Sequence, residues 1–278
     1  MTFELAADPT FSLSAAADFA EGFPGTRVVA DEEGLQLAWA VDGDWRTVSV
    51  TLRQEGDRLL GELDGSHPRE LTLRAKRDVE RMLCLDVDVT EFVDLGRHDP
   101  VVRSLQDRLP GLRPVLFFTP YEAAAWSIIG QRIARRQAAV VMRRLADELG
   151  DGGAFPSPDR LSELPAPQHG LTERKIDQLR GLAAAAREGR LDRDRLRAMT
   201  PVEALADLQQ LAGIGPFSAE LVLIRGVGAP DVLPSVEKRF EKATRELYAL
   251  ADDVEIATVA EHWRPFRSWV AFLIRAAA

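Results

Sequence analysis

The chain has 278 residues, of which 46% are hydrophobic and 28% charged, and its formal net charge is −9. This length suggests about two domains, and the composition is that of a folded globular protein, which excludes a disordered chain. A single cysteine excludes an internal disulfide, a four-thiolate iron–sulfur cluster and a cysteine-based zinc site. The acidic net charge, taken as a whole, argues against nucleic acid as a partner.

The first part of the chain is predicted to be a small antiparallel sheet with helices on one face. Apolar residues alternate with smaller or polar ones through Leu35, Leu37 and Trp39, which is the pattern of a half-buried strand. This predicts an α+β N-terminal domain over residues 1–77. We expect a helix over Leu13–Gly22 and then strands over Arg27–Ala30, Gly34–Val41, Trp45–Arg53, Arg58–Leu63 and Glu70–Arg74.

The remaining chain, residues 78–278, is predicted to be all helical. Two of its helices begin with a capping box, in which a threonine precedes a proline and a glutamate stands at the third helical position. Thr119 and Glu122 form one such pair, and Thr200 and Glu203 form the other. Ser157, followed by proline, opens a further helix.

Most of the acidity lies in the N-terminal domain. Residues 1–75 hold 14 acidic and six basic residues, whereas the rest of the chain holds 30 acidic and 29 basic residues. The helical part is therefore nearly neutral, and its net charge does not exclude DNA. Its arginines cluster locally, either on solvated helix faces or against phosphates. They are Arg132, Arg135, Arg136, Arg143 and Arg144 in one stretch, and Arg264, Arg267 and Arg275 near the end.

A glycine-rich turn between two predicted helices is the most informative segment. Residues 211–219 read Leu-Ala-Gly-Ile-Gly-Pro-Phe-Ser-Ala, and Pro216 begins the second helix. We expect Gly213 and Gly215 to form a tight hairpin that a side chain would obstruct. The second helix then presents free backbone N–H groups to an anion. This predicts a helix-hairpin-helix over about residues 200–226 that grips a DNA backbone without reading its sequence, although two helices can also pack in this way without a function.

These motifs together resemble the helix-hairpin-helix superfamily of base-excision DNA glycosylases, in the DNA-3-methyladenine glycosylase II branch. The resemblance covers about residues 78–275 and rests on several ordered segments, while the N-terminal part is similar to the extra domain of that branch. It implies an all-α glycosylase domain behind the small sheet domain. The segments are residues 121–131, which end in Ile-Ile-Gly-Gln, and residues 211–219, 223–226, 231–234 and 263–269.

The resemblance implies a catalytic carboxylate at Glu237, where the family carries an aspartate. Such an anion would stabilise the positive charge that develops on the deoxyribose and would orient water. The alternative for Glu237 is a solvated acid in the first turn of a helix capped by Ser235. Phe217 stands where strand-cutting relatives place a lysine, which implies a monofunctional enzyme that uses water. Asp231, which opens the segment, is expected to be a loop or cap residue.

The resemblance also implies how a damaged base leaves the duplex. Gln131 and Arg132 would fill the gap, although Arg132 departs from the usual apolar wedge, and Gly213, Gly215 and Ser218 would hold the backbone. The expected base pocket comprises Phe217, Leu221, Trp126 and Arg275, with Trp126 also a candidate for the core and Arg275 unfavourable to a cationic base. No cofactor is expected to be required. Relatives often hold a monovalent cation with hairpin carbonyls, here those of Gln209, Leu211 and Ile214.

We therefore expect a monomeric glycosylase of base-excision repair that removes alkylated or otherwise damaged bases from double-stranded DNA. The sequence has no apolar run of membrane length and no signal-peptide pattern, so we expect a bacterial-type cytoplasmic, nucleoid-associated protein. A first alternative is a catalytically lapsed protein that binds damaged or distorted DNA. A second is an acidic interaction protein whose hairpin binds another chain. The four histidines, His67, His98, His169 and His262, have no spacing typical of metal ligands.

Overall fold

The computed structural model describes residues 1–21, 28–31, 34–165 and 170–278. Gly22, Arg27 and His169 lie outside these described residues. The α+β architecture expected from the sequence is confirmed: a small sheet at the N-terminus precedes a helical remainder.

Five antiparallel strands form one sheet in the order β1-β5-β4-β3-β2. The first strand, β1, pairs with β5 and is absent from the sequence-based prediction. Its burial pattern shows a single buried side chain, that of Leu5, so it lacks the alternation that revealed the other strands. The strands are β1 (Thr2–Ala6), β2 (Val28–Asp31), β3 (Gly34–Ala40), β4 (Thr47–Glu55) and β5 (Arg58–Leu63).

Two helices pack on this sheet, α1 (Leu13–Glu21) and α2 (Arg69–Met82). The strand predicted over Glu70–Arg74 is wrong, because this segment is the first half of α2. The buried residues of α2 recur every three or four positions, as at Leu71 and Ala75, and this spacing matches one helix face rather than a strand. Helix α2 also runs across residue 78, where the two predicted domains were divided.

The core of the sheet extends into the helical part, because Val115 and Phe118 pack within it. Phe118, which belongs to the helical part, stacks on Trp39 of β3 with ring centroids 4.4 Å apart and planes 3° apart. The indole Nε1 of Trp39 donates a hydrogen bond to the buried carboxylate of Asp78 on α2 at 3.0 Å. The N-terminal sheet is therefore fixed against the segment that leads into the next helices.

The remaining helices build the body that carries the candidate site. Helix α11 continues directly into a turn of π-helix over Val222–Val227, and a 3-10 turn over Glu261–Trp263 follows α13. The helices are α3 (Thr90–His98), α4 (Pro100–Arg108), α5 (Pro120–Ile129), α6 (Arg135–Leu149), α7 (Pro158–Ser162), α8 (Glu173–Arg187), α9 (Arg193–Arg197), α10 (Pro201–Leu208), α11 (Pro216–Leu221), α12 (Lys238–Tyr248), α13 (Ile256–Ala260) and α14 (Arg267–Ala277).

The predicted helix caps are largely confirmed. Thr200 and Glu203 form a reciprocal capping box at the start of α10. At α5, Thr119 Oγ1 accepts the backbone N–H of Glu122 at 3.0 Å, but the Glu122 side chain does not return the bond to the Thr119 backbone. It is buried instead, and this burial raises the pKa of Glu122 to about 8.

A buried arginine joins the sheet to the helices. Arg193, the first residue of α9, donates hydrogen bonds to the carbonyl oxygens of Gly226, Phe117 and Phe118 at 2.6–3.1 Å. Its charge also faces Asp42, whose pKa burial raises to about 7 although Arg193 opposes the rise. Backbone carbonyls and nearby carboxyl groups from both parts of the chain therefore hold the Arg193 guanidinium at this junction between the sheet and the helices.

None of the helices in the described part of the chain has both the length and the hydrophobicity needed to cross a bilayer.

Candidate functional site

The hairpin between α10 and α11 is as tight as the sequence predicts, but its two glycines differ. Gly213 has a φ of +89°, and a Cβ there would lie 2.7 Å from the Gln178 side chain. A side chain at this position would therefore be both strained and obstructed. Gly215 has a φ of −92°, and a Cβ would meet nothing within 4 Å. The expectation that a side chain at Gly215 would obstruct the fold is wrong.

The loop after α5 is fastened to this hairpin. The Gln131 side-chain amide donates to the carbonyl oxygen of Gly213 at 2.7 Å. Lys175 of α8 donates to the carbonyl oxygens of Ile129 and Gln131 at 2.7 and 2.8 Å, which satisfies acceptors that the end of α5 leaves open. The two segments that the sequence assigned to DNA, the hairpin and residues 131–132, thus form one surface.

Arg132 projects from the short connection between α5 and α6. Its φ is +58°, a left-handed conformation that is uncommon for a residue other than glycine. The side chain is exposed, and it makes no ion pair with any other residue that the structure describes. Arg132 is therefore an exposed cation in the loop that Gln131 ties to the hairpin, and its gap-filling role stays a prediction.

The predicted base-pocket residues are distributed between surface and core. Phe217, in the first turn of α11, leaves 48% of its surface exposed. Leu221, one turn later, is half-buried against the helical core, and Trp126 is 8% exposed within that core. Ser218 is also buried, so its backbone N–H rather than its hydroxyl is the donor left open at the start of the helix. Phe217 is therefore the aromatic ring that this surface offers to a ligand.

A residue that the sequence did not reveal, Glu220, positions the segment that leads to Glu237. Glu220 of α11 is buried, and its carboxylate accepts the backbone N–H groups of Ser235 and Val236 at 3.1 and 3.3 Å, together with the Ser235 hydroxyl. The interpretation of Ser235 as the cap of the next helix is wrong, because the N-cap of α12 is Glu237. The sequence does contain a signal for Glu220: it is a charged residue between Ala219 and Val222, on a helix face that is otherwise apolar.

Glu237 therefore stands at the start of α12, beside α11, and its carboxylate pairs with Arg275. The guanidinium Nε of Arg275 lies 3.0 Å from the Glu237 Oε1. The two side chains are 31% and 24% exposed respectively, so the pair is partly withdrawn from water but open to a ligand. Arg275 belongs to the last turn of α14, which brings together two residues 38 positions apart in the sequence. Glu237 is thus not a fully solvated acid.

A further arginine, Arg135, lies within electrostatic range of Arg275. Arg135, the first residue of α6, has a pKa lowered by burial and by the charges of Arg275 and Arg239. Arg225 lies within range of Arg135, and burial lowers its pKa to about 10. Arg135 at the start of α6 therefore lies close enough to Arg239 of α12 and Arg275 of α14 to feel their charges.

The loop that precedes Glu237 is tied to the start of α14. Arg267 Nε and Arg264 Nη1 each donate to the Asp231 carboxylate at 2.7 Å. The Ser268 hydroxyl donates toward the carbonyl oxygens of Ala229 and Val232. Asp231 is therefore an anchoring loop residue, as the sequence predicts, and it sets the path of the chain toward Glu237.

The hairpin carbonyls are partly engaged within the protein. The carbonyl oxygen of Leu211 accepts the N–H of Ile214 at 3.0 Å, while that of Gly213 accepts Gln131. Nothing at the turn requires an ion for its closure, so the monovalent cation predicted at Gln209, Leu211 and Ile214 stays a prediction. Among the residues that the structure describes, no three His, Cys, Asp or Glu side chains are grouped to hold a metal.

Several curated proteins align with most of the chain, among them two bacterial DNA-3-methyladenine glycosylases. The DNA-3-methyladenine glycosylase of Bacillus subtilis is 24% identical over 243 residues, which cover 82% of this chain and 80% of that protein. The DNA-3-methyladenine glycosylase 2 of Escherichia coli is 29% identical over 223 residues, covering 73% and 74% respectively. No protein-family model matches the chain.

Solved structures show the same fold over nearly the whole length. The 3-methyladenine DNA glycosylase of Archaeoglobus fulgidus superimposes with a TM-score of 0.77 at 23% identity, covering 98% of this chain and 97% of that one. The 8-oxoguanine glycosylase/lyase of Clostridium acetobutylicum, in complex with double-stranded DNA, superimposes with a TM-score of 0.70 at 19% identity, covering 100% and 97%. The small sheet and the helical body thus recur together.

Proposed function

Since the chain belongs to the helix-hairpin-helix DNA glycosylase superfamily, in its DNA-3-methyladenine glycosylase II-like branch, we propose that it is a monofunctional DNA glycosylase of base-excision repair. It hydrolyses the N-glycosidic bond of an alkylated or otherwise damaged base in double-stranded DNA. The observation that carries the proposal is the half-buried Glu237 carboxylate, which pairs with Arg275. The segment just before it is held by Glu220 of α11, the helix that begins at the hairpin and carries the exposed ring of Phe217.

Glu237 acts on the sugar. As the bond between C1′ and the base breaks, its electron pair leaves with the base and positive charge develops on the deoxyribose. A fixed carboxylate beneath the sugar stabilises that charge. Water then forms the new bond to C1′, and Glu237 accepts the proton that the water loses. Phe217 supplies no amine, so no Schiff base forms at the position where strand-cutting relatives carry lysine.

The hairpin and the adjoining loop hold the DNA. The backbone N–H groups at the start of α11 and the close approach allowed by Gly213 and Gly215 suit a phosphate. Arg132 fills the space vacated by the extruded nucleotide, while Gln131 fixes the loop on the hairpin. Phe217 stacks on the extruded base. The protein acts as a monomer, with or without a cation at the hairpin carbonyls, and works beside the chromosome in a bacterial cytoplasm.

The second candidate function is binding of damaged or distorted DNA without excision. The observation that favours it is the ion pair itself, because Arg275 already engages the carboxylate that the reaction needs. A lapsed enzyme and an active one then differ in whether any base is released, rather than in whether DNA binds.

A base-release assay separates these functions. Duplexes carrying 3-methyladenine, 7-methylguanine, hypoxanthine or uracil are incubated with the wild type and with Glu237→Gln under single-turnover conditions. We expect release of at least one base without strand cleavage, and a fall of about 10²–10³-fold or more in Glu237→Gln, since one preorganised electrostatic contact is removed. Glu241→Gln is the matched control, because Glu241 lies one turn further along α12 and pairs with Arg245.

Release by neither protein, with unchanged duplex affinity in Glu237→Gln, would establish the lapsed binder instead. Duplex affinity is measured in the same series against salt concentration. We expect it to fall steeply with added salt, because phosphate contacts release counterions. Affinity that is independent of salt would point to the remaining alternative, an interaction protein whose hairpin binds another chain.

A further inference from the structure

Helix α8 contacts both of the segments that hold DNA in the proposed function. Lys175 Nζ donates hydrogen bonds to the carbonyl oxygens of Ile129 and Gln131 at 2.7 and 2.8 Å. Three positions further along, Gln178 packs against the hairpin, where a Cβ at Gly213 would lie 2.7 Å from its side chain. Because residues three apart lie on the same side of a helix, one side of α8 supports both the loop after α5 and the hairpin.

Lys175 is the donor on which the backbone of this loop depends. Ile129 is the last residue of α5, so its carbonyl oxygen has no partner within that helix. No other donor in the part of the chain that the structure describes bonds to this oxygen or to that of Gln131. The Lys175 side chain is half-buried, and burial lowers the pKa of its ammonium group. The two carbonyl oxygens therefore replace part of its hydration.

Arg132 follows directly after a residue that is held at two points. Lys175 binds the carbonyl oxygen of Gln131, and the Gln131 side-chain amide donates to the carbonyl oxygen of Gly213 at 2.7 Å. Arg132 itself has a φ of +58°, a backbone conformation that costs energy for a residue with a side chain. Such a conformation persists only where surrounding contacts fix it, and the two contacts of Gln131 are of that kind.

A fixed loop matters for filling the gap that an extruded nucleotide leaves. If the loop and the long side chain of Arg132 had to be ordered at that moment, their lost freedom would oppose extrusion. The rate of base release follows the extruded fraction of the base. A loop that stabilises the extruded state therefore speeds release of a paired base, which is mostly stacked, and changes little for an unpaired base that is already extruded.

We propose that Lys175 is a positioning residue for the gap-filling loop, residues 130–132. It holds Arg132 in the conformation in which its side chain replaces an extruded nucleotide, and it touches neither the base nor the sugar. The inference rests on the proposed glycosylase function, and it makes Lys175 a determinant of how well the protein acts on damaged bases that are still paired.

Binding to a duplex that carries a tetrahydrofuran abasic site tests this role without any bond cleavage. A 2-aminopurine opposite the abasic site reports, by its fluorescence, the change in stacking as a side chain enters the gap. We expect the wild type to prefer this duplex over an undamaged one. In Lys175→Met we expect the preference to fall about tenfold or more, because hydrogen bonds to a charged group are lost, together with most of the fluorescence change.

Arg174→Met is the matched control. It removes a positive charge from the adjacent position of α8, where the side chain is exposed and makes no hydrogen bond or ion pair to the described residues. We expect Arg174→Met to keep the wild-type preference, and Lys175→Arg, which keeps the charge and donors, to recover part of it. Thermal unfolding checks each variant, and Lys175→Gln, which keeps an amide donor, replaces Lys175→Met if the latter does not fold.

A double variant shows whether Lys175 acts through Arg132. Arg132→Ala should lose the preference for the abasic duplex as Lys175→Met does. The double variant should lose no more than Arg132→Ala alone, because two residues that act through one contact are not additive.

Single-turnover base release gives an independent readout. Hypoxanthine and 7-methylguanine are each placed opposite cytosine, where they are paired, and opposite a tetrahydrofuran site, where they are not. We expect Lys175→Met to slow release from the paired duplexes about tenfold more than from the unpaired ones.

Three results would overturn this inference and leave the proposed function standing. They are an unchanged preference for the abasic duplex in folded Lys175→Met, additive losses in the double variant, and an equal slowing of release from paired and unpaired duplexes. If the wild type releases no base, the proposed function fails, whereas the abasic-site measurements still decide the role of Lys175 because they require no cleavage.

Discussion

Two arginine–carboxylate clusters in this protein use the same chemistry for different purposes. At the junction, Arg193 is completely enclosed and its guanidinium donates to three backbone carbonyl oxygens. At the candidate site, Arg275 is 31% exposed and bonds through one nitrogen to one carboxylate. Arg193 uses Nε and Nη2 within the protein and leaves only its enclosed Nη1 without a hydrogen bond to the described residues, whereas Arg275 bonds through Nε alone and is partly open to water.

The difference teaches how to separate a structural charge from a functional one. A buried arginine is stable only if protein groups compensate for its lost hydration, so little of it is left for a ligand. A partly exposed arginine keeps donors in reserve because water serves them until a ligand arrives. Judged by burial alone, Arg193 would be the stronger candidate for a functional residue. Judged by the N–H donors that remain open to a ligand, Arg275 is the stronger candidate.

The largest effect on stability is expected at the junction. Arg193→Met removes the donor to three buried carbonyl oxygens and leaves Asp42 and Asp78 without their opposing charge. Breaking one partner of such a cluster costs about 3–5 kcal/mol of unfolding free energy. Urea unfolding measures the loss.

The control for this prediction is Arg195→Met, two residues further along α9. Arg195 pairs with Asp207 at the surface, and such a pair contributes about 0–1 kcal/mol. If Arg193→Met and Arg195→Met lose the same free energy of unfolding, the buried arginine does not contribute more to stability than the exposed one, and the prediction is wrong.

The second prediction concerns pH. Burial raises the pKa of Glu122 from 4.5 to about 8, and that of Asp42 from 3.8 to about 7. At a pH between the unfolded and the folded pKa values, these two carboxyl groups are protonated in the folded protein and ionised in the unfolded chain. The unfolding free energy therefore falls as pH rises from about 4 to about 8, by up to ~1.4 kcal/mol per pH unit for each proton.

Glu122→Gln tests this dependence, because it keeps the shape of the side chain but cannot ionise. We expect a shallower fall of unfolding free energy with pH than in the wild type, measured by urea unfolding from pH 5 to pH 8.5. Asp147→Asn, at an exposed position on α6, should leave the slope unchanged. A wild-type stability that rises over this range contradicts the prediction.

The smallest expected effect on stability distinguishes the hairpin glycines. Gly213→Ala places a side chain at a φ of +89° and against Gln178, which should cost about 1–2 kcal/mol. Gly215→Ala meets open space at an ordinary φ, so we expect a change within about 0.5 kcal/mol. Thermal unfolding measures both variants.

The affinity of Gly213→Ala and Gly215→Ala for duplex DNA tests the same two glycines for a role in binding. If Gly215 keeps the surface open for a phosphate, Gly215→Ala weakens DNA binding although the fold is unaffected. Unchanged affinity in Gly215→Ala would show that the backbone does not approach the DNA at this residue.

Much of the fold was predictable because local patterns specify it. Alternation through Leu35, Leu37 and Trp39 predicted β3, and the Thr200 box predicted the start of α10. The strand predicted over Glu70–Arg74 failed because five residues are too few to separate a strand period from a helical one, whereas the full length of α2 shows its helical face.

The candidate site was predicted only in part. Glu237 and Arg275 were implied by the family resemblance, and the hairpin was indicated by its glycines. Glu220 was not identified, since its role depends on a contact with Ser235, 15 positions away. The ion pair between Glu237 and Arg275 spans 38 positions, and no local pattern indicates such a contact.

By itself the sequence determined the α+β order of the chain, the hairpin and the identity of the residues around it, because periodicity, caps and glycine positions act over a few residues. Only the tertiary structure decided which charges meet. It enclosed Arg193 among backbone carbonyls, turned Glu122 from a capping residue into a buried acid, and paired Arg275 with Glu237. Such pairings follow from the packing of distant helices, since electrostatic interaction depends on distance in space and on burial rather than on separation along the chain.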